Sequence, residues 1–170
     1  MNNDQKKVAV GAASGVISMG VLVFILYSVF PTISGMDAML DRLAFTLRLN
    51  VIAVLPLFIA VAAVGNARFL SKAIDPLRHA EDKTMEINGR VVDNTLQQNF
   101  VFFMGTLALS TFLSSETIKL IPALVAVFIL ARIVFWVGYR IDPLYRAPGM
   151  AATSYMNVGI LLSTLYFFFF

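Results

Sequence analysis

Five apolar stretches, each long enough to cross a bilayer as a helix, govern what this chain can fold into. They run approximately from 8 to 30, 43 to 66, 91 to 113, 118 to 139 and 147 to 170. About 20 residues of helix traverse some 30 Å of hydrocarbon. Of the 170 residues, 59% are hydrophobic, and the mean hydropathy is +0.81, beyond the roughly half-apolar composition of a soluble domain. The expected fold class is therefore all-α, a polytopic transmembrane helix bundle of five spans, in an integral membrane protein. The first run is too long for the apolar core of a secretory signal and lacks a convincing cleavage site, so it reads as a retained span. Cysteine is absent, which excludes disulfides, thiolate metal sites and a cysteine nucleophile.

The first span carries Gly11 and Gly15 in a GxxxG spacing, with Ser14 and Ser18 as a second small pair, a pattern that permits close approach of a neighbouring helix. Basic residues set the expected orientation, because cytoplasmic loops are enriched in Lys and Arg. Lys6, Lys7, Arg68, Lys72, Arg78, Lys83, Arg90, Arg140 and Arg146 would share one side, against Arg42, Arg48 and Lys119 on the other. This places the N-terminus in the cytoplasm. The connection from 67 to 90 holds most of the soluble part, with Pro76 breaking any continuous helix, and it is too short for a domain. Ser114, Ser115 and Glu116 resemble an N-cap region before the fourth span, so spans three and four form an antiparallel hairpin. The closing Phe167 to Phe170 run is a hydrophobic end without a charged anchor.

Polar residues near the spans are the candidates for function, since a charge at the bilayer centre costs roughly 2.5 to 3.5 kcal/mol on insertion scales. Arg90, Asn94 and Gln97 share one helical stripe at the mouth of the third span. Tyr139, Arg140 and Arg146 close the facing end of the fourth. Together they would bind an anionic molecule entering from the cytosol, or else the arginines snorkel to lipid headgroups. Arg132 lies deep in the fourth span and needs a partner, with Asp93 or Gln98 as candidates. Arg48 and Asn50 are expected to meet Asp41 or the interface, and Trp136 to sit in an aromatic belt. His79, the single histidine, falls in the charged loop as a solvated residue. No metal site, Ser-His-Asp constellation or phosphate-binding glycine loop is present. The pI of 9.4 reflects membrane topology, not a nucleic-acid surface.

The run Arg90-Val-Val-Asp-Asn94-Thr-Leu-Gln97-Gln98, together with Ala131-Arg132-Ile-Val-Phe135-Trp-Val-Gly138-Tyr139 before Arg146, resembles the MAPEG family, membrane-associated proteins in eicosanoid and glutathione metabolism. The resemblance covers about residues 43 to 170, a MAPEG-like four-helix membrane domain. Residues 1 to 42 remain as an extra N-terminal transmembrane helix and loop. Leu109-Ser-Thr-Phe-Leu113 and Thr117-Ile-Lys-Leu-Ile-Pro122 point to a mattrin-like branch, which similarly carries an extra span. The resemblance implies a homotrimer that binds glutathione, as co-substrate, between adjacent subunits. It implies that Arg90, Asn94, Gln97 and Tyr139 hold the tripeptide, with a looser match for Arg68. Arg146 falls at the family's catalytic arginine, which stabilises the glutathione thiolate.

Three positions depart from the family pattern. Gln97 replaces the usual glutamate, Gln98 the tyrosine that often follows it, and Phe135 another pocket tyrosine. Losing a hydrogen bond to a charged group costs roughly 1.5 to 3 kcal/mol, or about tenfold to more than a hundredfold in affinity. Two readings follow. One is a glutathione-dependent transferase, peroxidase or isomerase acting at the cytosolic membrane face on a lipophilic small molecule arriving from the bilayer. The alternative is a non-catalytic mattrin-like protein with an eroded glutathione site, acting through membrane lipids or other membrane proteins. A small transporter or channel fits less well, because no paired broken helices or inverted repeat are visible.

Overall fold

The computed structural model describes residues 1–75, 77 and 80–170; the expectations placed on Pro76, Arg78 and His79 lie outside the described residues. The described residues form helices with no strand. Six α-helices follow in order, α1 (Asn3–Val29), α2 (Met39–Ala53), α3 (Leu55–Phe69), α4 (Lys83–Phe112), α5 (Leu120–Ile141) and α6 (Ala147–Phe169). Short 3-10 turns cover Lys72–Ile74 and Pro143–Arg146. α2 and α3 are the two halves of the expected second span. Pro56, the second residue of α3, has no N–H to donate to the turn before it, and the helix breaks at Val54.

Four of these stretches are long and apolar enough to cross a membrane: α1, α2 with α3, α5, and α6 with its preceding turn. The exception is α4. Its 30 residues would reach about 45 Å, but the stretch from 90 to 99 carries Arg90, Asp93, Asn94, Gln97, Gln98 and Asn99. A polar helix of this kind needs protein around it, and α4 has contacts with α2, α3, α5 and α6. Its buried face is a regular stripe, Asn88, Thr95, Asn99, Thr106 and Ser110 interleaved with Val91, Phe102 and Leu109.

The core centres on Phe102 of α4 and Phe128 of α5, whose rings stack at 4.3 Å, with Leu109, Ile121, Leu124 and Ile160 around them. Small polar side chains tie the broken span to α4. Asn50 donates to the Thr106 hydroxyl at 3.1 Å, so it meets α4 and not Asp41; Arg48 is exposed. Asn99 donates to the Ala53 carbonyl at 2.9 Å, directly beside the break. Asn99→Leu is expected to lower stability by about 1 to 3 kcal/mol, because it strands a buried carbonyl. An unfolding midpoint in detergent equal to wild type would show that this bond contributes nothing.

α6 packs against α1, α4 and α5. The crossing with α1 is close, as the GxxxG spacing anticipates: a Cβ on Gly15 would fall 2.1 Å from the Pro148 carbonyl oxygen. At the other end, the Lys119 ammonium reaches the Phe30 carbonyl at 3.3 Å and lies over the Tyr27 ring. Ser114 and Thr117 close the α4–α5 turn on each other. They do not cap α5, whose N-cap is Lys119.

Candidate functional site

The opposite end of the bundle brings together the end of α3, the start of α4, the end of α5 and the turn into α6. Tyr139, one turn from the end of α5, is 5% exposed, and its ring meets Phe135 edge-on at 5.8 Å. α5 stops because Asp142 leaves helical geometry ahead of Pro143, and its carboxylate accepts the Leu144 N–H at 2.7 Å. That tight turn returns Arg146 over the Tyr139 ring, 5.0 Å from its centroid. A Cβ on Gly138 would fall 2.3 Å from the Tyr145 carbonyl oxygen, so glycine there lets the turn fold back.

Arg90 approaches the same tyrosine from α4. Its guanidinium interacts with the Tyr139 hydroxyl and, four residues back on its own helix, with Glu86 at 2.6 Å. Arg90 precedes the apolar part of α4, and these two groups, Tyr139 first, hold its pKa above the ordinary value. Among the described residues Arg146 has no carboxylate within ion-pair distance. Two cations thus flank one phenol, and one of them is unneutralised.

Asn94 is turned inward. Its side-chain oxygen accepts from Arg132 at 3.0 Å, and the second arm of Arg132 donates to Thr153 of α6 at 3.0 Å. Arg132 is 1% exposed and stacks over Phe135 at 4.1 Å. Its partners are therefore Asn94 and Thr153. Neither Asp93, which is exposed, nor Gln98, whose side chain accepts from Asn157 at 3.0 Å, fills that role. Gln97 stands exposed. Trp136 is half-buried, with its indole N–H donating to Asn88 at 2.9 Å, which ties it to α4.

Arg68, the last basic residue of α3, pairs with Glu81. Both line a recess of about 400 Å³ between α3 and α4, shared with Glu86, Arg90 and Asp93. The structure thus assembles Arg90, Tyr139 and Arg146 directly, while the recess joins Arg68 to Arg90 alone among these three. Asn94 lies one layer below and Gln97 on the outer face of α4. Thr153 carries little signal in the sequence, a hydroxyl one helical turn from Gly149 in a small-residue stretch.

A helical bundle with apolar outer faces and a cationic corner at one end is an integral membrane protein with a small polar site. This chain belongs to the MAPEG family, whose profile matches residues 46–166. It is 27% identical over 134 residues to Transmembrane protein 79 of Mus musculus, covering 79% of this chain and 34% of that protein. Identity to Transmembrane protein 79 of Bos taurus is 26%, with the same coverage. The chain spans about a third of the length of these curated relatives. They are mattrins, MAPEG-related proteins, as the mattrin-like motifs anticipate. No solved structure matches.

Proposed function

We propose that this protein is a homotrimeric MAPEG membrane protein that binds glutathione or a glutathione conjugate at the Arg90–Tyr139–Arg146 corner, without efficient turnover. The observation that carries the reading is the placement of two guanidiniums on one buried tyrosine. Guanidinium forks suit carboxylates, and glutathione carries two. Asp93 lines the recess with Arg68 and Arg90, and offers a carboxylate to the ligand ammonium in a site where Gln97 supplies none. The residues present therefore fit the tripeptide's charges.

An exposed face of α4 supports a subunit boundary there. Asp93, Leu96, Gln97, Phe100 and Met104 form one exposed face, and polar groups at that depth call for protein or water beside them. A second copy on this face would put Gln97 at the edge of the same site. The polar end would face the cytosol, by the basic-residue asymmetry, and the lipophilic part of a ligand would lie toward the bilayer.

Weak turnover is inferred from what the pocket lacks. Phe135 has no hydroxyl, Gln97 no charge, and Asn94 already accepts from Arg132. The second reading, glutathione-dependent transferase, peroxidase or isomerase catalysis on a lipophilic electrophile, rests on Arg146. Bound glutathione supplies a thiol nucleophile, and an unpaired cation beside it favours the thiolate.

Gln97→Glu tests the reading. A new carboxylate at this position is expected to tighten glutathione binding about tenfold, the worth of one hydrogen bond to a charged group, as measured by calorimetry in detergent. An unchanged Kd would remove Gln97 from the site. Conjugation of an aryl halide at the buffer rate supports the binding protein. Conjugation that disappears in Arg146→Ala supports the enzyme.

A further inference from the structure

We infer that α1 and the α5–α6 hairpin together form a binding site for one anionic phospholipid, separate from the Arg90–Tyr139–Arg146 corner. Two contiguous hollows make it. The upper, about 490 Å³, is lined by Lys6, Lys7 and Gly11 of α1 and by Leu144, Tyr145 and Pro148 of the turn into α6. The lower, about 170 Å³, continues between the same helices past Gly15, Ser18 and Leu22 on one wall, with Leu130, Val134 and Ala152 opposite. Pro148 lines both.

The chemistry changes along this groove in the order a phospholipid requires. The mouth carries two lysines and no carboxylate among its lining residues. Below it the lining is apolar: the Ser14 hydroxyl donates to its own helix at Gly11, leaving small, greasy surface against Leu130 and Val134. From Lys7 to Leu22 the helix rises about 22 Å, the depth of one leaflet with its headgroup, half of the roughly 40 to 45 Å of a whole bilayer. A phosphate between Lys6, Lys7 and Tyr145 would therefore place an acyl chain along the lower hollow.

Charge complementarity selects the occupant. Lysines at a membrane surface draw anionic lipids, whereas a zwitterionic phosphatidylcholine gains little from a lysine pair. α1 packs on the bundle through half-buried side chains such as Met19, Val23 and Leu26, with Gly15 its one buried residue. A lipid wedged in this groove would extend its contact with the α5–α6 hairpin.

Native mass spectrometry of the full chain, released from detergent with added phosphatidylglycerol or phosphatidylcholine, tests the site. Wild type is expected to retain one phosphatidylglycerol per chain in preference to phosphatidylcholine. Lys6→Ser with Lys7→Ser should reduce that preference about tenfold or more, and Lys83→Ser, an exposed cation on the same end, should leave it intact. Ser18→Phe, which fills the lower hollow while keeping the Gly11–Gly15 contact, should abolish retention with an unchanged helical circular dichroism spectrum. The proposal fails if wild type shows no preference, if the lysine pair can be removed without effect, or if Lys83→Ser matters equally. A preference undiminished by Ser18→Phe would equally overturn it.

Discussion

Replacing Gly149 with valine is expected to destabilise the protein by about 3 kcal/mol or more. A Cβ on Gly149 would lie 2.4 Å from both the Ala131 carbonyl oxygen and the Phe135 nitrogen of α5. Those are backbone atoms of a regular helix and cannot rotate away, so the two helices must separate. Separation draws Thr153, one turn along α6, from Arg132 and shifts Arg146 from Tyr139. The expected signature is an unfolding midpoint lower by on the order of 6 to 12 °C, with weaker ligand binding. Gly159, with nothing near its Cβ position, is the control: Gly159→Ala should leave the midpoint near wild type. A Gly149→Val protein with unchanged stability would mean that α5 and α6 do not touch here.

Arg132→Met is expected to separate stability from binding. Holding this cation inside the bundle costs roughly 2.5 to 3.5 kcal/mol on insertion scales. Two hydrogen bonds from a charged donor, at about 1.5 to 3 kcal/mol each, and a desolvated ring contact of about 2 kcal/mol offset that cost. Its Nε finds no partner, which reduces the gain. Methionine fills similar space without the charge, and replacing buried ions by well-packed apolar groups is often neutral or stabilising. Stability should therefore change by less than about 2 kcal/mol. Binding should not escape, because Arg132 fixes the Asn94 amide; glutathione affinity is expected to fall about tenfold. A protein that unfolds while its remaining folded fraction binds normally would make Arg132 a structural residue only.

The spans were legible because hydropathy over twenty residues is a local property, and each expected apolar run corresponds to helix. What sequence did not display were the pairings between helices. Asn50 with Thr106, Asn99 with the Ala53 carbonyl, and Trp136 with Asn88 join residues 46 to 56 positions apart; nothing local dictates them. A signal existed for half of each pair: Asn88, Thr95, Asn99, Thr106 and Ser110 recur at seven and four, a buried stripe in a helix. The charged stripe of Arg90, Asn94 and Gln97 runs along the same helix and overlies it. The break at Val54 was marked by Pro56. Asn94 facing Arg132, with Asp93 exposed, depends on how α4 rotates against α5, an angle set by packing around Phe102 and Phe128 that spacing does not encode. The meeting of Arg90 with Tyr139 and Arg146, the nearer of them 49 residues along the chain, was legible from the antiparallel pairing of spans three and four, and the family resemblance implied the same residues.

The proposed function requires Arg90 and Arg146 to act together on one anionic ligand beside Tyr139. Calorimetric titration of the detergent-purified protein with glutathione, alongside Arg90→Ala and Arg146→Ala, tests it most directly. Saturable heat is expected for wild type, with a loss of about tenfold or more in affinity for each variant. No heat from wild type at millimolar glutathione, or identical curves for all three proteins, would contradict it.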